Sequence, residues 1–218
     1  MSASNGGLPS DEGKNFFSMV QAPFPDLNDG KINTVQYLEA SKGVVELVDR
    51  FGKVFAPVKY DMTGNIDKLS EKYASNEEKF EFLNDMVLHD KEAQEITAID
   101  ALLWLNRANH LVQRFFELIL EDNASEEPSD DLVKFLKAAY KDTLKEHHGW
   151  IAQHLFTFLS RMCPTRKDLV NVLALERENM EDIVYRDMES FTNKLRENVT
   201  FILTFYKEND LENYPKPS

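Results

Sequence analysis

The chain has 218 residues, of which 38 are acidic and 25 are basic, so its formal net charge at pH 7 is −13. A chain of this length fits one domain with a substantial core. The acidic excess disfavours nucleic acid and strongly anionic membranes as partners held by charge attraction. Cys163 is the only cysteine, which excludes an internal disulfide and favours a reducing compartment.

The first residues carry no recognisable targeting segment. Residues 1–13 lack the basic region and the apolar run of a secretion signal, and nowhere does an apolar run reach the roughly 20 residues that span a bilayer. We therefore expect a cytoplasmic protein. Residues 1–30 show no sustained periodicity, so we expect a loosely ordered leader that contacts the surface through Phe16, Phe17 and Phe24, followed by a single domain over residues 31–218.

Apolar residues recur at helical spacing after the leader. Asn33 or Thr34 caps a first helix, which has Val35 among its inward residues and ends at Gly52. Residues 58–73 predict a second helix. Ser75 and the three residues after it match a capping box, which predicts a third helix there.

The second half of the chain continues the helical pattern. A helix over residues 93–121 is apolar on nearly all sides between Ala98 and Leu105, so we expect it to be central. One pattern runs without interruption over residues 132–159 and predicts a single long helix. Thr165 caps a short helix, and residues 180–205 form the last one. Because no segment alternates between apolar and polar residues with the period of two that is typical of a strand, the sequence predicts an all-α fold of about eight helices.

The helix over residues 58–73 carries a line of polar side chains beside its apolar stripe. Asp61, Asn65 and Lys68 each precede an apolar residue of the stripe, which places them at the edge of the core. A carboxylate, an amide and an ammonium in one line can accept from and donate to several hydroxyls of one ligand, such as a sugar. The alternative is an ordinary solvated flank of the helix.

Patterns for covalent or metal chemistry are weak. The five histidines show no trustworthy ligand spacing, so we expect no metal and no cofactor. Asp61 and Asp100 form a candidate carboxylate pair for glycoside hydrolysis, but with 38 acidic residues such a pair is easily found by chance. We therefore predict that the protein is not an enzyme.

The segment from His147 to Trp150 is a third point of interest. Trp150 falls off the apolar stripe of the predicted long helix, which fits either a half-buried surface aromatic or a residue at a bilayer interface. His148 is either a satisfied core histidine or a hydrogen-bonding partner for the amide of a buried ligand.

Three motifs together resemble the glycolipid transfer protein family: Asp61-Met-Thr-Gly-Asn65-Ile-Asp-Lys68, Leu102-Leu-Trp104-Leu-Asn-Arg107 and His148-Gly-Trp150-Ile. The resemblance covers most of the chain, from about Val35 to Tyr214. It implies a two-layer helical sandwich that extracts one sphingolipid from a membrane and holds its chains in a tunnel between the layers. It also implies that no covalent chemistry occurs.

The resemblance also implies roles for individual residues. The sugar headgroup and the ceramide amide would be held by Asp61, Asn65, Lys68, Trp104, His148 and Tyr214. Among these, Trp104 would stack on the sugar ring, His148 would take the amide together with Asp61, and Tyr214 would close over the headgroup. Contact with the membrane would be made by Trp150, Ile151 and Tyr140, and the lipid-chain tunnel would include Leu144 and Phe156.

A second branch of the family carries ceramide-1-phosphate. Members of that branch have a cationic residue at the position of Asn65 and arginines at the positions of Asp100 and Trp104, and this chain has none of these cations. Asp100 also departs from the sugar branch, where an apolar residue is expected, and it either reaches a second sugar or faces solvent. We predict a monomeric carrier of glucosyl- or galactosylceramide; the alternatives are a glycolipid sensor that binds without rapid release, and ceramide-1-phosphate transfer.

Overall fold

A computed structural model describes residues 13–20 and 22–215. Nine α-helices are found in this part of the chain: α1 (Phe16–Met19), α2 (Thr34–Arg50), α3 (Ala56–Ser75), α4 (Leu83–Ala93), α5 (Thr97–Asn123), α6 (Val133–Thr143), α7 (Trp150–Ser160), α8 (Arg166–Leu173) and α9 (Glu181–Glu208). Short 3-10 turns precede α3 and α7. Within these residues there is no strand, which confirms the predicted all-α sandwich.

The central helix is α5, which packs against α2, α3, α4, α6 and α9. This confirms the central position predicted from the apolar segment between Ala98 and Leu105, where five of the residues are fully buried. One apolar cluster joins α5 to α2, α3, α4 and the second half of α9, and another joins its C-terminal half to α6, α8 and the first half of α9. None of the described helices has the length and apolar character needed to cross a membrane.

The start of α2 is held as predicted. Asn33 is the N-cap, and its side chain accepts a hydrogen bond from the backbone N–H of Gln36. Val35, which the periodicity placed inside, is exposed. The reason is that the covered face of α2 carries Thr34, Tyr37 and Leu38 instead.

The capping-box prediction at Ser75 is wrong. Ser75 is the last residue of α3, and its hydroxyl donates to the carbonyl of Lys72 instead of opening a new helix. The segment that follows crosses the start of α2, where the Thr34 hydroxyl donates to the Phe80 carbonyl at 2.7 Å. This non-local bond helps to hold the chain in turns until α4 begins at Leu83.

The prediction of one helix over residues 132–159 is also wrong. The chain forms α6, a 3-10 turn at Lys145–His147 and α7, with His148 in an extended conformation between them. The Gln153 side chain donates to the carbonyls of Lys145 at 3.2 Å and His148 at 2.7 Å. A side chain of α7 thus satisfies carbonyls that a continuous helix would have bonded internally.

Part of the predicted leader packs on the helices. Asn15 caps α1, and its side-chain amide donates to Asp187 of α9 at 2.7 Å. Phe16 and Phe24 are buried. Residues 1–12 and the tail from Lys216 lie outside the described residues, so the division at residue 30 stays a prediction.

Candidate functional site

A cavity of about 580 Å³ lies between α2, α3, α5, α6 and α7; we call it the main cavity. Its wall follows α5 from Trp104 to Phe115, a rise of about 16 Å at about 1.5 Å per residue. Apolar residues form most of this wall: Val48, Phe51, Phe55, Val58, Met62, Ala108, Leu111, Val112, Phe115, Leu136, Leu144, Ala152, Leu155, Phe156 and Leu159. Leu144 and Phe156, the two predicted tunnel residues, are among them.

Polar side chains are grouped where α3, α5 and the linker before α7 meet the cavity. They are Asp61, Asn65, Lys68, Asp100, Trp104, His147 and His148. The structure therefore brings together five of the six predicted headgroup residues, which come from three separate segments. The polar line of α3 borders a cavity and is not merely a solvated flank.

The α3 line is partly fixed by its own backbone. The Asn65 side chain is only 5% exposed, and its Nδ2 donates to the Asp61 carbonyl at 3.0 Å. Asp61 and Lys68 remain accessible. Burial raises the pKa of the Asp61 carboxyl, while His148 and Lys68 oppose this rise.

Trp104 provides an aromatic plate between α5 and the linker. Its ring stacks with His148 at 5.9 Å between centroids and 23° between planes. The Arg107 guanidinium lies 4.9 Å from the Trp104 ring centroid, a cation–π contact that holds the indole in place. The i, i+3 spacing of Trp104 and Arg107 on a helix was readable from sequence, but this contact was not predicted.

His148 is held by a hydrogen bond from a neighbouring helix. The Tyr140 hydroxyl lies 3.0 Å from His148 Nδ1, and the two rings are 5.5 Å apart. Burial lowers the pKa of His148, with Asp61 opposing, so the imidazole is neutral at neutral pH. The structure does not reproduce the expected membrane contact of Tyr140, because this side chain is only 5% exposed and lines the main cavity.

Tyr214 lies apart from the main cavity. It lines a second, smaller cavity of about 270 Å³ between α5 and the C-terminal segment, and its hydroxyl donates to the Lys91 carbonyl at 3.1 Å. Trp104 and Asp100 line both cavities. Tyr214 is therefore a neighbour of the tryptophan plate but not part of the main cavity wall.

The sequence profile of the family described as Glycolipid transfer protein (GLTP) matches residues 32–175 of the chain. This chain belongs to the glycolipid transfer protein family. It is 33% identical over 172 residues to the glycolipid transfer protein of Aureobasidium melanogenum, covering 78% of this chain and 83% of that protein. It is 32% identical over 210 residues to human pleckstrin homology domain-containing family A member 8, covering 90% of this chain but only 39% of that protein.

Solved structures share the fold of this chain. The structure reported as "How FAPP2 Selects Simple Glycosphingolipids Using the GLTP-fold" matches with a TM-score of 0.82 and 30% identity, over 94% of this chain and 100% of the other. Human ceramide-1-phosphate transfer protein in complex with 12:0 ceramide-1-phosphate matches with a TM-score of 0.76 and 17% identity, over 87% and 93% of the two chains. At that identity the second match shows the fold alone.

In this member of the glycolipid transfer protein family, an apolar surface lies next to the cavity. Trp150 is 71% exposed and Ile151 is 67% exposed, at the start of α7 and directly after the His148–Gly149 linker. Leu155 and Phe158, which the sequence pattern placed inside a long helix, are also exposed. The missed signal is the composition of α7, which has no Asp, Glu, Lys or Arg in 11 residues.

Proposed function

We propose that the protein binds one glycosphingolipid of the glucosyl- or galactosylceramide type and carries it between membranes without covalent chemistry. The observation that supports this most directly is the division of the main cavity into a polar group at Trp104 and an apolar wall that continues to Phe115. A sphingolipid has the same division, because a hydroxyl-rich headgroup joins two long hydrocarbon chains. Each buried CH₂ contributes about 0.8 kcal/mol, so the chains would supply most of the affinity.

The polar group offers the contacts that a neutral sugar needs. Asp61 accepts and Lys68 donates hydrogen bonds. One N–H of the Asn65 amide is engaged by the Asp61 carbonyl, which leaves its second N–H to donate to a sugar hydroxyl and its Oδ1 to accept from one. The C–H face of a sugar ring can pack on Trp104. Hydrogen bonds to charged groups contribute about 1.5–3 kcal/mol each.

A phosphate headgroup fits this polar group less well. Asp61 and Asp100 both line the main cavity, and the Asp100 charge adds to the rise of the Asp61 pKa. A phosphate there would lie near two carboxylates and would be repelled. We therefore favour the sugar branch over ceramide-1-phosphate transfer.

The exposed apolar surface supplies a way to meet a membrane. Trp150, Ile151 and Phe158 can enter a bilayer interface transiently, as an amphipathic surface does. Lipid would then pass between α7 and its neighbours into the main cavity. We also propose that the protein acts as a monomer in the cytoplasm.

The test is transfer of fluorescent glucosylceramide between vesicles by the purified protein. We expect Asp61→Asn and Trp104→Ala to slow transfer by about tenfold or more, the loss expected for one charge-assisted hydrogen bond or one stacked ring. Asp67→Asn is the matched control, because Asp67 is an exposed carboxylate on the same helix and is not part of the cavity wall.

Several outcomes would contradict the proposal. If circular dichroism shows that both variants are folded and they transfer glucosylceramide as fast as wild type, the assignment of the headgroup site is wrong. Release of free sugar would indicate an enzyme, and stoichiometric binding with slow release would indicate a sensor. Faster transfer of ceramide-1-phosphate than of glucosylceramide would overturn the choice of headgroup.

A further inference from the structure

Four aromatic rings form a continuous series from the apolar wall of the main cavity to the tryptophan plate. Phe156 and Tyr140 are stacked at 3.6 Å with an 8° angle, and this pair joins α7 to α6. Tyr140 contacts His148, and His148 stacks with Trp104. The Tyr140 ring therefore lies at the point where the apolar and polar parts of the cavity meet.

A phenylalanine would provide the same ring stacking, so the Tyr140 hydroxyl needs a separate explanation. A buried hydroxyl without a partner costs free energy. Among the described residues, the hydrogen bond recorded for this hydroxyl is the one with His148 Nδ1, at 3.0 Å. Burial raises the pKa of Tyr140, so the hydroxyl keeps its proton at neutral pH.

The direction of this hydrogen bond determines the tautomer of His148. A neutral imidazole has one N–H donor and one acceptor nitrogen. If Nδ1 carried the proton, it would donate to the tyrosine oxygen, and the Tyr140 proton would have no acceptor recorded among the described residues. If the Tyr140 hydroxyl donates to Nδ1, both groups are satisfied and the imidazole proton lies on Nε2.

We propose that Tyr140 is a positioning residue that holds neutral His148 in the Nε2–H tautomer, so that His148 presents a hydrogen-bond donor to the ligand. This inference rests on the proposed function, in which His148 and Asp61 bind the amide of a ceramide. A secondary amide has one carbonyl acceptor and one N–H donor. His148 Nε2–H would donate to the carbonyl, and the Asp61 carboxylate would accept from the N–H, so the pair distinguishes an amide from an ester of the same shape.

The first measurement is the nitrogen NMR spectrum of the imidazoles in lipid-free, uniformly ¹⁵N-labelled protein at neutral pH, with His148 assigned by His148→Gln. In wild type we expect Nδ1 to show the resonance of an unprotonated ring nitrogen and Nε2 that of a protonated one. In Tyr140→Phe, which keeps the ring stack on Phe156, we expect both resonances to move towards the average of the two tautomers. A purely structural role of Tyr140 would not change the tautomer.

The second measurement is glucosylceramide transfer by the same proteins. We expect Tyr140→Phe to slow transfer by about fivefold to tenfold, the effect of one neutral hydrogen bond. Tyr60→Phe makes the same chemical change at a tyrosine that is 73% exposed, and it should leave the tautomer of His148 and the transfer rate unchanged.

The outcomes separate this inference from the proposed function. An unchanged His148 spectrum in Tyr140→Phe, or transfer within twofold of wild type, overturns the role of Tyr140 even if wild type carries glucosylceramide. A changed spectrum in a protein that carries no glycosphingolipid supports the hydrogen bond to His148 and overturns the proposed function. The change in tautomer together with the loss of transfer supports both.

Discussion

At the scale of single residues, the binding role proposed for Asp61 opposes the stability of the fold. Its carboxylate is partly removed from water beside Asp100, and this burial raises its pKa. A folded protein that disfavours the charged form of a group loses stability at any pH where that group is ionised. We infer that Asp61 is kept for the ligand at some cost to the fold, as is common at functional sites.

Asp61→Asn should therefore be more stable to urea than wild type at neutral pH, although it transfers lipid more slowly. Because the folded pKa of Asp61 lies above its unfolded value, wild type takes up a proton in the folded state as the pH falls through that raised pKa. The difference in the free energy of unfolding between the two proteins should therefore shrink as the pH falls through that pKa. Asp67→Asn should be as stable as wild type both at neutral pH and at the lower pH where Asp61 takes up its proton. An Asp61→Asn protein that is less stable than wild type at neutral pH would refute this account.

At the scale of elements, the break between α6 and α7 is what puts His148 into the main cavity. A continuous helix would carry His148 on its own surface, whereas the extended backbone at His148, with φ −98° and ψ 129°, lets it reach Tyr140 and Trp104. Gly149 is not what forces the break, since its φ of −65° is open to any residue. The two hydrogen bonds from Gln153 to linker carbonyls are the specific stabilising feature.

Gln153→Ala should lower the free energy of unfolding by about 1 kcal/mol, the usual value of a partly buried hydrogen bond, and should slow glucosylceramide transfer by loosening His148. Gln153→Glu should be worse, because a carboxylate has no proton to donate to the two carbonyls. Gln36→Ala, at an exposed position on α2, is the control. Urea unfolding measures the first effect, and a Gln153→Glu protein as stable as wild type would exclude this role.

At the scale of the whole molecule, a net charge of −13 is combined with an uncharged, exposed surface on α7. The charge keeps the protein away from anionic membranes, so the attraction that brings it to a membrane must be hydrophobic. This combination favours short contacts with weakly charged bilayers, which is what a carrier needs if it is to leave again.

Adding phosphatidylserine to the donor vesicles should slow glucosylceramide transfer, and added salt should partly restore it, because salt shortens the range of charge repulsion to about 8 Å at 0.15 M. Trp150→Ala should slow transfer from both kinds of vesicle, since its contact with the membrane is not electrostatic. Faster transfer from anionic vesicles would show that a local basic surface dominates over the net charge.

The sequence by itself determined the helical fold and most of the candidate site. Met62, Ile66 and Leu69 are buried as predicted, and Asp61, Asn65 and Lys68 border the cavity beside them. The physical reason is that helical periodicity is local: spacing along the chain decides which side chains share a face.

Only the tertiary structure decided which faces are covered and where the helices stop. Tyr140 is buried although it was expected at a membrane, and Phe158 is exposed although it belongs to the apolar pattern over residues 132–159. Tyr214 borders a second cavity, because a contact with Lys91, 123 positions away, holds it there. These outcomes depend on neighbours that are remote in sequence, so they cannot be predicted from local sequence patterns.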